Sequence, residues 1–169
     1  MDGFEKTYVS WLEVEKACKE FADEILRHRY KFEYIIAVGK GGLIPATIIA
    51  NRIKCNVLNL GLNSYTNNNL KSEIEVYQHL DLKIDKDDYF NVLVVDDIND
   101  SGDTFTFVEN YILNISPTIY LHFWSIFRRN TSKFGSPKID YSDYALDEVE
   151  IAQQAIDVNN NKWIIMPWE

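Results

Sequence analysis

The sequence predicts an α/β fold in which helices flank a mostly parallel central sheet, and three features carry that prediction. Short apolar runs alternate with segments of helical spacing along most of the chain. The runs Tyr34 to Val38 and Asn91 to Val95 are apolar on both faces, as in strands covered from both sides. Each of these runs ends at once in a turn rich in Gly, Asp, Asn or Ser, where open α/β sheets place their ligand sites.

The elements follow in order. Ser10 and Glu13 form a capping-box pattern, and Val14, Cys18, Phe21 and Ile25 then recur at helical spacing, so residues from about 10 to 28 read as an amphipathic helix. The strand Tyr34 to Val38 meets Gly39, Gly41 and Gly42, and Pro45 opens a second helix that runs through about Ile53. Asn56 to Leu62 reads as a strand and the Asn-rich stretch from Asn63 to Asn69 as a mobile loop. Leu70 to Asp88 is polar with scattered apolar positions, without a firm assignment, and suits a small lid over about 63–80.

Asn91 to Val95 is a β-branched strand that gives way at Asp96 and Asp97 to a turn ending near Thr104. Phe105, Val108, Tyr111 and Ile112 have helical spacing, stopped by Ser116 and Pro117, and Thr118 to Phe127 is a strand apolar on both faces. Arg128 to Asn161 is irregular and acidic, and Trp163 to Trp168 closes the chain as a short strand or edge segment. Residues 1–169 are expected to form a single domain, with a hood from about 130–169.

Bulk properties narrow the function. With 46% apolar and 25% charged residues, the 169-residue chain has the composition of a soluble globule with a real core. Its formal charge of -9 opposes binding to nucleic acid, although a local cradle of backbone N–H groups and a few cations can still take a small phosphorylated ligand. Cys18 and Cys55 lack the spacing of a zinc or redox motif, and Met1 to Thr7 contains no apolar run, so no membrane span or signal peptide is expected and the location is read as cytoplasmic. His28, His79 and His122 have no ligand spacing among them and receive no role.

The most specific string is Val94-Val95-Asp96-Asp97-Ile98-Asn99-Asp100-Ser101-Gly102-Asp103-Thr104. N–H groups at the helix start, with the hydroxyls of Ser101 and Thr104, can cradle a phosphate at the positive end of the helix dipole. Asp96 and Asp97 can accept hydrogen bonds from vicinal ribose hydroxyls or hold a hydrated magnesium ion. The acidic pair alone would serve equally well as a turn and helix-capping feature. Asp103, a carboxylate beside the cradle, should weaken phosphate binding unless it points outward.

The whole string resembles the phosphoribosyl pyrophosphate loop of the type I phosphoribosyltransferases. Ile35-Ile36-Ala37-Val38-Gly39-Lys40-Gly41-Gly42-Leu43-Ile44-Pro45 resembles the same family's pyrophosphate loop, in which the peptide after the cation is often cis; by itself, Gly-Lys-Gly-Gly would be read as a glycine turn with an exposed lysine. Trp163-Ile164-Ile165-Met166-Pro167-Trp168-Glu169 resembles the base-binding tail of the bacterial xanthine-guanine enzymes, and by itself would be read as an aromatic core plug. In Ser125-Ile126-Phe127-Arg128-Arg129, Arg129 occupies the place of a family lysine that faces the purine O6.

The resemblance implies transfer of 5-phosphoribosyl from phosphoribosyl pyrophosphate to a 6-oxopurine, with Mg2+ as cofactor and a homo-oligomer, dimer or tetramer, as the assembly. In that scheme Lys40 and the Gly41 N–H meet the pyrophosphate, and Asp100 is the general base near N7. Ser101, Gly102, Asp103 and Thr104 surround the 5-phosphate, Asp96 and Asp97 hold the ribose with Asp97 as metal ligand, and Arg129, Trp163 and Ile164 receive the base. Two rivals stay open: a transferase for another base, and a regulator that senses nucleotides or the activated sugar on the same fold.

Overall fold

The computed structural model describes residues 5–66, 72–82, 89–129, 156–158 and 162–169. The first helix, α1 (Trp11–Arg27), starts where the capping box predicts: Glu13 N donates to Ser10 Oγ at 3.3 Å and Ser10 N donates to Glu13 Oε2 at 2.8 Å. Its buried face, Val14, Cys18, Phe21, Ala22 and Ile25, lies against the sheet. The helix α2 (Leu43–Ile53) begins two residues before Pro45, which sits in the first turn, where a missing N–H breaks no intrahelical bond. The helix α3 (Asp103–Ile115) starts two residues earlier than the apolar spacing alone indicates.

Six strands make the main sheet: β2 (Tyr34–Val38), β3 (Asn56–Thr66), β4 (Ser72–Gln78), β5 (Phe90–Asn99), β6 (Ile119–Arg129) and β7 (Ile156–Val158), in the order β4-β3-β2-β5-β6-β7. Every pairing in it is parallel except the antiparallel pair β3–β4. This is the mostly parallel α/β sheet the sequence predicts. Alternation along β2 and β5 explains their continuous apolar runs. Ile35, Ala37, Leu93 and Val95 face the layer of α1 and α2, while Ile36, Val38, Val92 and Val94 face α3. Phe21 of α1 stacks on Trp124 of β6 with ring centroids 4.6 Å apart, which fixes α1 over that end of the sheet.

Several boundaries differ from the sequence reading. β5 does not end at Val95; its pairing with β6 continues through Ile98 opposite Phe127 and Asn99 opposite Arg128, so Asp96 and Asp97 lie within the strand and the turn begins at Asp100. β6 likewise runs two residues past Phe127, to Arg129. The stretch read as a loop from Asn63 belongs in part to β3, and the unassigned segment contains β4; the two strands form a hairpin, with residues 67–71 of the expected lid outside the described residues.

The chain's two ends meet in a small second sheet. β1 (Glu5–Tyr8) pairs in parallel with β8 (Lys162–Ile165), and Val9 N donates to Ile165 O at 2.9 Å. Only four polar-leaning residues make β1, too few to show a strand period in the sequence. β7 corrects the expectation that Arg128 to Asn161 is irregular throughout, and most of the expected hood, 130–155 and 159–161, lies outside the described residues.

Candidate active site

β2 and β5 are neighbours, yet the chain leaves them in opposite directions, β2 toward β3 and β5 toward β6. A crevice forms at the carboxyl ends of strands wherever the order reverses in this way. Both glycine- and aspartate-rich segments singled out in the sequence end there.

Lys40 is exposed in the turn between β2 and α2, and Gly41 follows it against the end of β5. A Cβ on Gly41 would lie 2.5 Å from Asp97 Oδ2 and 2.6 Å from its Cγ and Oδ1, so the carboxylate rests on bare backbone and only glycine permits the approach. All described peptide bonds are trans, including the one joining Lys40 to Gly41, where the resemblance allows a cis bond.

Asp96 and Asp97 point to different parts of the crevice, as adjacent strand residues do. Asp96 lines a cavity with Ile98, Asn99, Asp100, Ser101, Gly102, Thr104 and Phe105, whereas Asp97 meets Gly41. Asp96 Oδ1 accepts from Asp97 N at 2.9 Å and Asp97 Oδ1 from Ile98 N at 2.8 Å. Burial, and then the neighbouring charge of Asp97, push the Asp96 carboxyl well above the usual carboxylate range; burial also pushes Asp97 up.

Among the described residues no cation pairs with either acid, and no cluster of three or more His, Cys, Asp or Glu is arranged to hold a metal by itself. Two adjacent, poorly solvated carboxylates suit a magnesium ion that keeps waters and takes its remaining oxygens from a substrate. The donor set therefore fits that ion.

The turn expected to cradle a phosphate leads directly into α3. Gly102, at φ +88°, precedes α3, and its carbonyl accepts from Thr106 N at 3.0 Å and Thr106 Oγ1 at 2.9 Å. The left-handed φ favours glycine at this position. Thr104 and Ser101 line the cavity, but Asp103 does not. The Asp103 carboxylate instead accepts from Ser101 Oγ at 2.9 Å, while Asp103 N donates to that same oxygen at 3.2 Å. Asp103 is the first residue of α3, where negative charge is favoured by the helix dipole.

The residues assigned to the base form a second group. Arg129, at the end of β6, has its side chain only 10% exposed, and its Nε lies 2.5 Å from Asp100 Oδ1. Its Nη1 donates to Lys162 O at 2.8 Å, one residue before Trp163. A single guanidinium thus ties the turn at Asp100 to β8. Sequence reasoning named Arg129 and Asp100 separately and missed this pairing, since nothing in their spacing of 29 positions signals it.

Trp163 is 47% exposed, so it is not the core plug of the tail; Met166, 2% exposed, and Trp168, whose ring lies 5.8 Å from that of Trp11, fill that role. Ile164 is buried in the core and pairs with Thr7 of β1.

Comparison with known proteins follows the same geometry. The model of the phosphoribosyl transferase domain family matches residues 6–160. The chain is similar to the xanthine-guanine phosphoribosyltransferase of Desulfotalea psychrophila, 26% identical over 170 residues that span 99% of this chain and 89% of that protein. Its fold is similar to the purine phosphoribosyltransferase of Pyrococcus horikoshii Ot3 (24% identity, TM-score 0.67, covering 97% of this chain and 94% of the other). It is also similar to a Neisseria gonorrhoeae protein solved with bound ppGpp (22% identity, TM-score 0.76, covering 100% and 92%). With its Gly41 and Gly102 turns at the strand-order reversal and the family match covering nearly its whole length, the chain belongs to the phosphoribosyl transferase domain family and is an enzyme of that class.

Proposed function

We propose that this enzyme moves 5-phosphoribosyl from phosphoribosyl pyrophosphate to a 6-oxopurine, guanine, xanthine or hypoxanthine, and releases pyrophosphate in purine salvage. The observation that carries the sugar half is the contact of Gly41 with Asp97 beside the cavity lined by Asp96, Ser101, Gly102 and Thr104. The observation that favours an oxopurine is the guanidinium of Arg129 next to Asp100 and the backbone before Trp163. Leaving such a buried donor unpaired costs about 1–3 kcal/mol, which disfavours a base that presents an amino group there.

In this reading the 5-phosphate sits over the turn Ser101–Thr104, held by N–H groups at the start of α3. Asp96 and Asp97 accept from the ribose hydroxyls, and Asp97 is the residue that would hold magnesium, which when bound supplies positive charge beside the pyrophosphate. Lys40 and the Gly41 N–H stabilise the leaving pyrophosphate, where negative charge accumulates. Asp100 takes the proton at purine N7, and Trp163 stacks on the ring with the Ile164 backbone beside it. The segment over about 63–80 acts as a lid and the segment from about 130–169 as a hood on one domain of 169 residues. The enzyme works as a cytoplasmic homo-oligomer.

The test is an assay of guanine, xanthine, hypoxanthine, adenine, orotate and uracil with phosphoribosyl pyrophosphate and magnesium. Product from at least one 6-oxopurine is the expected outcome, and product from adenine alone overturns the assignment of the base. A second reading, a nucleotide sensor, is favoured by the likeness to the Neisseria protein with bound ppGpp. Calorimetry showing binding of that nucleotide with no product from any base would select it.

A further inference from the structure

Next to the Lys40 turn stands a side chain that the scheme above leaves unused. Asn59 lies on β3 directly opposite Ala37 of β2. With its amide oriented to satisfy its neighbours, its NH2 group donates to Gly39 O at 3.0 Å and Ala37 O at 3.3 Å, and its oxygen lies 2.8 Å from the Gln78 Oε1 position, from which the Gln78 NH2 donates once that amide is turned likewise. Gln78 is the last residue of β4 and pairs with Gly61, so it is the diagonal neighbour of Asn59 on one face of the hairpin. Gly39 N donates to Leu60 O at 2.7 Å, which means that β3 grips Gly39, whose φ of +53° turns the chain, by both its N–H and its carbonyl.

The consequence follows from peptide geometry. In a planar trans peptide the C=O and the next N–H point in opposite directions. Holding Gly39 O toward β3 therefore aims the Lys40 N–H away from β3, toward the β5 side of β2, where Gly41 meets Asp97. We propose that Asn59 is a positioning residue that sets the Gly39–Lys40 peptide for the pyrophosphate, and that Gln78 links this setting to β4 of the hairpin. The proposal rests on the reading of residues 39–42 as the pyrophosphate loop.

Asn59→Asp tests it with almost no change of shape, because a carboxylate cannot donate and instead repels the two carbonyl oxygens. The variant is expected to raise KM for phosphoribosyl pyrophosphate, and for pyrophosphate in the reverse reaction, by about tenfold, while KM for the purine stays within about twofold. A folded variant with wild-type constants, or one in which all three KM values rise together, overturns the proposal. Should Asn59→Asp fail to fold, Gln78→Leu at its exposed position decides: a rise of about threefold in the same two constants supports the link and unchanged constants overturn it. Lys40→Ala separates the two levels. If it leaves both constants at wild type, the pyrophosphate-loop reading itself fails; if it raises them while Asn59→Asp does not, Asn59 alone is wrong.

Discussion

The two halves of the crevice are held by different means. On the side proposed for the sugar phosphate, backbone does the holding: Gly41 lies on Asp97, Gly102 turns into α3, and β2 and β5 pair in register from Tyr34 opposite Val92 to Ala37 opposite Val95. On the side proposed for the base, a side chain makes the connection among the described residues: Arg129 joins Asp100 to the carbonyl of Lys162 across separate segments of the chain. A backbone-built half is fixed before any ligand arrives, whereas a half joined through a long side chain can readjust to its ligand. The sugar site should thus tolerate few substitutions, and the base site should shift its selectivity under them.

The sharpest way to break this division is at Asp100, which belongs to both halves. Asp100→Asn keeps the shape and a hydrogen-bonding group but removes the proton acceptor, so kcat should fall by about 10²- to 10⁴-fold while KM for phosphoribosyl pyrophosphate changes little. Steady-state kinetics measure both, and a variant with the wild-type rate removes Asp100 from its role. Gly41→Ala tests the backbone-built side alone. A methyl group 2.5 Å from the Asp97 carboxylate must displace it, and a loss of about 100-fold in kcat/KM is expected with little change in the unfolding midpoint.

The framework beneath the crevice has its own pH dependence, which must be separated from that of the site. Burial of His122 among Tyr30, Phe32 and Asn91 lowers its pKa to about 4 from 6.5. The unfolded chain takes up this proton first, so the stabilising contribution is complete above pH 6.5 and disappears as pH falls from 6.5 to about 4. The full effect is at most about 3 kcal/mol. Urea unfolding of the wild type and His122→Gln at pH 7 and pH 4.5 should show a smaller acid loss in the variant, and equal losses would remove His122 as the cause.

On the base side, Arg129→Met removes the guanidinium while keeping an apolar stem. It should lower kcat/KM for the 6-oxopurine by about tenfold or more and narrow the preference over adenine, with KM for phosphoribosyl pyrophosphate changed by less than about threefold. Competition assays between the bases read the preference directly. An unchanged ratio would mean that Arg129 only anchors β8.

The same contrast explains how much was legible in the sequence. Runs such as Ile35 to Val38 and Val92 to Val95 announce buried strands because their period and length are local properties, and the turns after them announce a ligand site because Gly, Asp and Ser are needed there for local reasons. The extension of β5 through Asp96 and Asp97 was hidden, since polar residues in a strand look like a turn until the partner strand β6 is known. β1 was hidden because its strand partner, β8, comes from the far end of the chain. The pairing of Arg129 with Asp100 and the contacts of Asn59 are long-range and belong to no motif, so they became visible only with the fold.

The smallest expected effect concerns Asp103, where the two kinds of holding compete at one turn. Its carboxylate accepts the Ser101 hydroxyl and favours the start of α3, yet an incoming 5-phosphate also needs that hydroxyl as a donor and meets a like charge nearby. Asp103→Asn removes the negative charge and keeps the side-chain oxygen as an acceptor. KM for phosphoribosyl pyrophosphate should drop by about two- to threefold, more at low ionic strength than at high, while stability falls by about 0.5 kcal/mol from the lost helix-dipole interaction. Kinetics at two salt concentrations together with denaturant unfolding measure the two effects separately. A KM that rises instead would mean that Asp103 positions Ser101 for the phosphate, and that even the backbone-built half depends on one side chain for its final geometry.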